Sequence, residues 1–374
     1  MQTYGTIEEL CNIEYGTRVV KKNEKGTEYP VYGGGGESFR INRFNRCDRL
    51  VISRFGMSLK CTRYVSGKFF LNDSGLTLSP KDKNLSQPYL DKLILNLNNK
   101  IFHLGSGSAQ KNLRMDKFRL LNISYPSLLE QEHIVRRLNT AFAEIDVAII
   151  SIKNSLGMSS QLFQNTLKET FKDLIASAPK KTLRDVSKEF GRGKSKHRPR
   201  NDIRLFGKEI PFIQTGNISS AEFYIKDFEK QYSNFGIKQS KVWEKGTVCI
   251  TIAANIAELA ILDFDACFPD SIIGIYPDNT ITNSEYIFYL LSFFQGYIKS
   301  KSKGSAQQNI NLRTFETEKF PFPSDLNLQN KVINKLNQVR LELIKYQSLM
   351  EEKLEQLKDL KSAILLSEFK NKVS

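Results

Sequence analysis

The residues best suited to chemistry in this chain are cations and amides, and the chemistry they suit is binding a polyanion. Lys180–Lys208 holds eleven Lys or Arg against three acids, with Lys194-Ser-Lys-His-Arg-Pro-Arg200 at its centre. Glu37–Lys68 holds eight against two, and Arg40, Arg43, Arg46 and Arg49 recur every third residue. Such side chains meet phosphate oxygens, whereas base edges are read by Arg, Lys, Asn, Gln, Ser and Thr on loops. The candidate contacts in the first half are therefore Gly34, Gly35, Arg40, Arg43, Arg54, Lys60, Arg63, Ser108 and Gln110. In the second half they are Arg192, Lys194, Lys196, Arg198, Arg200, Gln214, Thr215, Asn217, Ser305 and Gln307. Gly33–Gly36 marks a turn needing positive φ or a close backbone approach. The Lys180–Lys208 run also contains Gly191 and Gly193 and reads as a mobile loop settling on phosphates; a plain solvated loop would have the same composition. Arg54 and Gln214–Asn217 could equally be turn residues.

Catalytic patterns are missing. There is no adjacent Pro-Pro, hence no Asn/Asp-Pro-Pro-aromatic motif for amino methylation, no dinucleotide fingerprint and no P-loop lysine. Pro269-Asp270 and Pro277-Asp278 resemble half of a nuclease motif, but no Glu-x-Lys follows on a plausible strand pair, so both read as turns. The five cysteines form no CxxC pair and the three histidines do not cluster with them, which leaves no metal site and suits a reduced compartment.

The whole chain is basic, with net charge +15 and pI near 9.4. That favours nucleic acid over a generic Lys-rich composition. Its 374 residues allow two or three domains with real cores. No apolar run reaches membrane-spanning length and the first residues are polar, so the expectation is a cytoplasmic protein without a membrane partner.

A repeat organises these residues. Gly107-Ser-Ala-Gln110 recurs as Gly304-Ser-Ala-Gln307, an offset of 197. At that offset Phe118 meets Phe315, Tyr125-Pro126 meets Phe322-Pro323, Tyr89-Leu90 meets Tyr286-Ile287 and Val51 meets Val248. One residue later in register, Leu138-Asn139 meets Leu336-Asn337. The starts correspond as Thr6–Leu10 and Thr182–Val186. A period this long is too great for a solenoid and means a duplicated domain plus helix. Arg49–Ser53, Lys68–Leu71, Thr247–Ile252 and Ala257–Leu262 read as strands; Tyr89–Asn96 and Glu285–Ser300 read as helices.

Each copy runs into a long amphipathic helix, Ser127–Phe171 and Ser324–Phe369. Ser127 and Glu130 are spaced as a capping box. Apolar residues recur at alternating spacings of three and four through Ile134, Leu138, Ile145, Ile152 and Leu156, and again through Val332, Leu336, Val339, Leu343 and Leu357. This predicts a coiled-coil seam between the two helices, in preference to each helix lying on its own domain. The expected fold is α+β: two tandem mixed α/β domains joined by an antiparallel helix pair with approximate two-fold symmetry. Expected boundaries are 1–126, 127–178, 179–323 and 324–374. A helix of about 40 residues spans about 60 Å, enough to place two domains one or two DNA turns apart.

The order of these features resembles the specificity subunit of type I restriction–modification systems. YPVYGGGG (Tyr29–Gly36), ISRFG (Ile52–Gly56) and the Asn72-Asp73 turn resemble one class of target-recognition domain, and IPFIQTGNI (Ile210–Ile218) another. GSAQ, then aromatic-Pro and a Gln opening an Ile/Val-rich helix, resembles the junction into the family's helical spacers; the family's usual Glu-Gln pair is matched by Glu130-Gln131 but only by Leu328-Gln329 in the second copy. The resemblance implies a noncatalytic subunit on double-stranded DNA, each domain reading half of a split target. It implies two modification subunits that carry S-adenosylmethionine and methylate adenine N6, and restriction subunits that use ATP and Mg, with no cofactor on this chain. The competing readings are the recognition half of a fused methyltransferase–nuclease and a coiled-coil adaptor that does not touch DNA.

Overall fold

The computed structural model describes residues 2–107, 110–253, 255–301 and 312–370. The chain forms two compact units, Met1–Asn154 with Met350–Ser374, and Ser155–Leu349.

The first unit is built on a six-stranded sheet. Its order is Cys11–Tyr15, Gly75–Pro80, Arg46–Ser53, Thr62–Leu71, Tyr29–Tyr32 and Glu37–Ile41. Pairing is antiparallel except where Tyr29–Tyr32 runs parallel to Thr62–Leu71. The second half of Arg46–Ser53 is buried on both faces, as expected of a Val/Ile-rich central strand. Helix Gln87–Asn96 lays Tyr89, Leu90, Leu93 and Ile94 on one side of the sheet, in the same core as Leu50, Ile52, Leu76 and Leu78. Ser86 precedes that helix and Pro88 lies in its first turn, where a missing N–H costs nothing.

The second unit has a five-stranded sheet ordered Ser187–Arg192, Ile272–Pro277, Val248–Thr251, Leu259–Leu262 and Tyr224–Ile225. Helix Ser284–Ser300, capped by Asn283, buries Tyr286 to Leu291 in its core. The expected short helices and the first unit's strands fall inside these elements, while the expected Thr247–Ile252 and Ala257–Leu262 shorten to Val248–Thr251 and Leu259–Leu262. Of the expected turn at Pro277-Asp278, Pro277 ends the strand and Asp278 opens the turn, its carboxylate accepting from Thr280 N–H at 3.0 Å.

Both units close in the same way. Thr3–Thr6 pairs antiparallel with Asn122–Tyr125, and Lys180–Thr182 with Lys319–Pro321. The opening strands end on the same reciprocal cap. Thr6 and Glu9 exchange bonds of 2.8 and 3.2 Å, and Thr182 and Asp185 exchange bonds of 2.9 and 3.2 Å.

The long helices span Leu128–Ser177 and Leu326–Phe369. Their apolar stripes are not reserved for a seam: parts of each pack into the domain cores, the arrangement the periodicity had not favoured. Ile134, Leu138 and Phe142 of the central helix and Leu365 and Phe369 of the C-terminal helix lie in the first unit's core. Leu167, Phe171 and Leu174, with Val332, Ile333 and Leu336, lie in the second unit's core. Sequence periodicity shows that a face is covered but not what covers it. Ile145 and Ile152 are buried; Leu156, Val339, Leu343 and Leu357 are half-buried; Leu360, which the same periodicity places on the stripe, is exposed. Within the first unit Arg137 pairs with Glu368 and Asp146 with Lys361, both at 2.7 Å, so the two helices run antiparallel there.

Candidate nucleic-acid interface

In the first unit the glycine run is stitched to the ends of the central strands. Gly34 N–H donates to Ser74 Oγ at 3.1 Å. Its carbonyl accepts from Ser53 Oγ at 2.6 Å and Arg63 Nη2 at 3.2 Å. A Cβ on Gly34 would sit 2.4 Å from the Phe55 carbonyl oxygen, and one on Gly33 2.3 Å from Ser74 Oγ, whereas Gly35 has open space. Close approach therefore accounts for Gly33 and Gly34; none of the run's glycines is among those with positive φ. Gly35 and Gly36 leave bare backbone beside Arg63.

Arg54 belongs to the same cluster. Its guanidinium lies between the rings of Tyr15 and Phe55, 4.4 and 4.8 Å from their centroids, and donates to the Asp73 carbonyl at 2.9 Å. These bonds bind Arg54 to the protein itself. Gly56, at φ +60°, donates to Asn112 Oδ1 at 3.2 Å, and the Gln110 amide lies against it. Lys60 lines a groove with Arg63, Lys358 and Lys361. Gly34, Gly35, Arg54, Lys60, Arg63 and Gln110 thus form one basic cluster. Arg40 and Arg43 stand apart from it on other partners, Glu37 at 2.9 Å and Glu24. Ser108 lies outside the described residues.

In the second unit the basic run is a folded loop. Lys194 N–H donates to the Phe268 carbonyl and Lys196 N–H to the Gln239 carbonyl. His197 Nε2 lies 2.7 Å from Asp202 Oδ2, and Arg204 donates to the same carboxylate at 2.7 Å. These bonds hold the Asp202 carboxyl well below its usual range, the Arg204 contacts contributing most. The braced loop carries Arg192, Lys194, Lys196, Arg198 and Arg200 exposed. Arg200 meets Asp270 at 3.1 Å, and Arg198 Nη1 donates to the Ser195 carbonyl. Gln214 and Asn217 cap the short helix Thr215–Ser220, Asn217 Oδ1 accepting from Gln214 N–H at 2.9 Å. Ser305 and Gln307 lie outside the described residues.

The sequence reading passed over three features. Tyr15 and Phe55 brace Arg54. His197 and Asp202 lie five residues apart inside a run read only for its charge. Gln131 and Gln329, matched in the sequence only as part of a junction pattern, are both fully buried. The third is Asp91, buried at a cavity of about 380 Å³ that Arg49, Tyr64, Gln87 and Lys92 also line. Burial pushes its carboxyl up to about 6, against the lowering influence of Gln87, Arg49 and Lys92. Among the described residues no group of His, Cys, Asp and Glu is arranged to hold a metal ion.

Two copies of one α+β module, each closed by its own strand pair, each running into a long helix and each presenting fixed cations, define a duplicated polyanion-binding scaffold. The chain belongs to the type I restriction–modification DNA-specificity family: the family's DNA specificity domain matches residues 3–154 and again 179–358. Members of this family are noncatalytic DNA-recognition subunits. A putative type I restriction enzyme MjaX specificity subunit of Methanocaldococcus jannaschii is 24% identical over 275 residues, 68% of this chain. The match spans 62% of that relative's length. The HsdS subunit of Thermoanaerobacter tengcongensis shares the fold at a TM-score of 0.56 and 16% identity, covering 98% of this chain and 96% of that one. A chain solved in work on assembly and conformational transition of the type I R-M system has a TM-score of 0.63 at 14% identity, covering 98% and 97%.

Proposed function

We propose that this chain is the DNA-reading subunit of a type I restriction–modification enzyme in which each domain reads one half of a bipartite duplex target. The domains are 1–126 and 179–323; the helices 127–178 and 324–374 set the gap between half-sites. The observation that carries this reading is that each duplicated domain takes segments of both long helices into its own core. A change in either helix is thereby transmitted to the placement of a reading surface. Gly34, Gly35, Arg54, Lys60, Arg63 and Gln110 form the first surface, with Arg54 bracing it. The loop Arg192–Arg200 and the cap at Gln214, Thr215 and Asn217 form the second.

The helices also dock two modification subunits, which carry S-adenosylmethionine and methylate adenine N6. Restriction subunits with ATP and Mg join through them. Exposed Val147 and Ile150 in the first unit, and Met158, Leu162, Leu341 and Leu349 in the second, are the apolar side chains available for that docking. The working compartment is the cytoplasm; among the described residues no helix is long and apolar enough to cross a membrane.

The test is methyl transfer to duplex DNA by the purified chain, alone and with its modification partner, followed by mapping of the modified bases. Activity only with the partner, at a split sequence, is expected. Activity of the chain alone would overturn the proposal.

A further inference from the structure

We infer that Gln131 and Gln329 are positioning residues that fix the angle at which each recognition domain leaves its helix, and hence the gap between half-sites. The inference rests on the functional reading above.

Both side chains are fully buried. Gln131 Nε2 donates to the Pro126 carbonyl at 2.8 Å and the Asn84 carbonyl at 2.7 Å, and Oε1 accepts from Ser86 N–H at 2.9 Å. Gln329 Nε2 donates to the Pro323 and Ile281 carbonyls, both at 2.8 Å, and Oε1 accepts from Thr282 Oγ1 at 2.8 Å. Each amide therefore joins the same three segments of its own unit. These are the stretch just after the closing strand, the first turn of the long helix, and the loop that leads into the domain's own helix, Gln87–Asn96 or Ser284–Ser300.

Packing of apolar side chains at this junction is non-directional and tolerates small rotations. Hydrogen bonds to a planar amide do not, because both donors and the acceptor lie in one rigid group. The consequence grows with leverage. A tilt of about 3° at the base of a helix about 75 Å long moves its far end about 4 Å, more than the ~3.4 Å rise of one base pair. A glutamine that only stabilised the junction would not need to bridge the corresponding segments in two units whose sheets differ.

The test maps modified bases in cells carrying the full chain and its modification partner, comparing wild type with Gln131→Met and Gln329→Met. Methionine keeps the volume and makes none of the bonds. Both half-sequences should stay the same, while modification at sites whose gap is one base pair longer or shorter rises at least about fivefold, the factor for one lost hydrogen bond of the three. Ile134→Val, a core change of similar cost that leaves the clamp intact, should keep the gap sharp. An unchanged gap in folded Met variants, or equal broadening with Ile134→Val, would overturn the inference. Should either Met variant fail to fold, Thr282→Val decides, since it removes one bond of three: broadening supports the clamp and a sharp gap overturns it. A wild-type map without a split sequence would overturn the functional reading, and the clamp's role with it.

Discussion

The two units share a frame and differ in what they hang on it. Opening strand, closing strand, reciprocal Thr–acid cap and buried glutamine recur with matching partners. The surfaces do not recur. The first unit presents guanidiniums braced by rings and carbonyls around a glycine run, and the second an exposed loop held by a His–Asp–Arg network. Even the domain–helix contact is inverted. In the first unit Lys92 of the domain lies 4.7 Å over Phe142 of the long helix. In the second, the corresponding partners are an aromatic residue of the domain, Tyr289, and a cation of the helix, Arg340, bonded at 3.3 Å. The cation has moved to the helix side and now donates to the Tyr289 hydroxyl, with the Phe223 ring 4.2 Å beneath its guanidinium. Reading surfaces are free to diverge when the geometry that carries them is held elsewhere.

The sharpest way to break this comparison is at Gly34. Gly34→Val would drive a side chain into the Phe55 carbonyl and should cost about 3 kcal/mol, abolishing the first half-site and sparing the second. Gly35→Ala, in open space, is the matched control. Thermal unfolding with half-site binding checks both, and equal effects from the two variants would refute the close-approach account.

The next effect is a pH dependence confined to the first unit. Burial raises the Asp91 carboxyl to about 6 in the fold against an ordinary 3.8, so the folded state holds its proton more tightly. Its contribution is fully present below pH 3.8 and is lost as pH rises through about 6. Asp91→Asn should remove that slope and raise stability at pH 7.5 by about 1–2 kcal/mol. The second unit has Phe288 at the corresponding position and should show no such change. Denaturant midpoints between pH 4 and 8 decide.

The smallest effect is expected at the second unit's loop. Lys196→Ala should weaken binding to all duplexes alike and reduce the salt slope of log K by about 0.9, without altering bases read. A change in sequence preference would make Lys196 a base reader instead.

Much of the frame was legible in the sequence. The constant offset located both junctions, and the long helices begin at Leu128 and Leu326, one and two residues from the expected starts. These features are local or repeated, and local patterns survive in sequence. What covers a helical stripe is a tertiary fact, so the division of Ile134 and Leu138 from the rest of the seam was not legible. Nor was the role of Arg54, because the Tyr15 ring that braces it lies 39 positions away. Gln214 and Asn217 show the limit from the other side: amides suited to base edges are also suited to helix caps.

The place of Phe369 carries a consequence in time. Its ring lies 5.5 Å from that of Tyr89, in the core of the first unit. A ribosome adding 5–20 residues per second makes Phe369 about 14–56 s after Tyr89. Throughout that interval the nascent first domain lacks part of its own core, and it must be shielded or remain loose until the C-terminal helix is synthesised. The helical turn that carries Phe369 thus completes a domain whose own helix was translated 280 residues earlier.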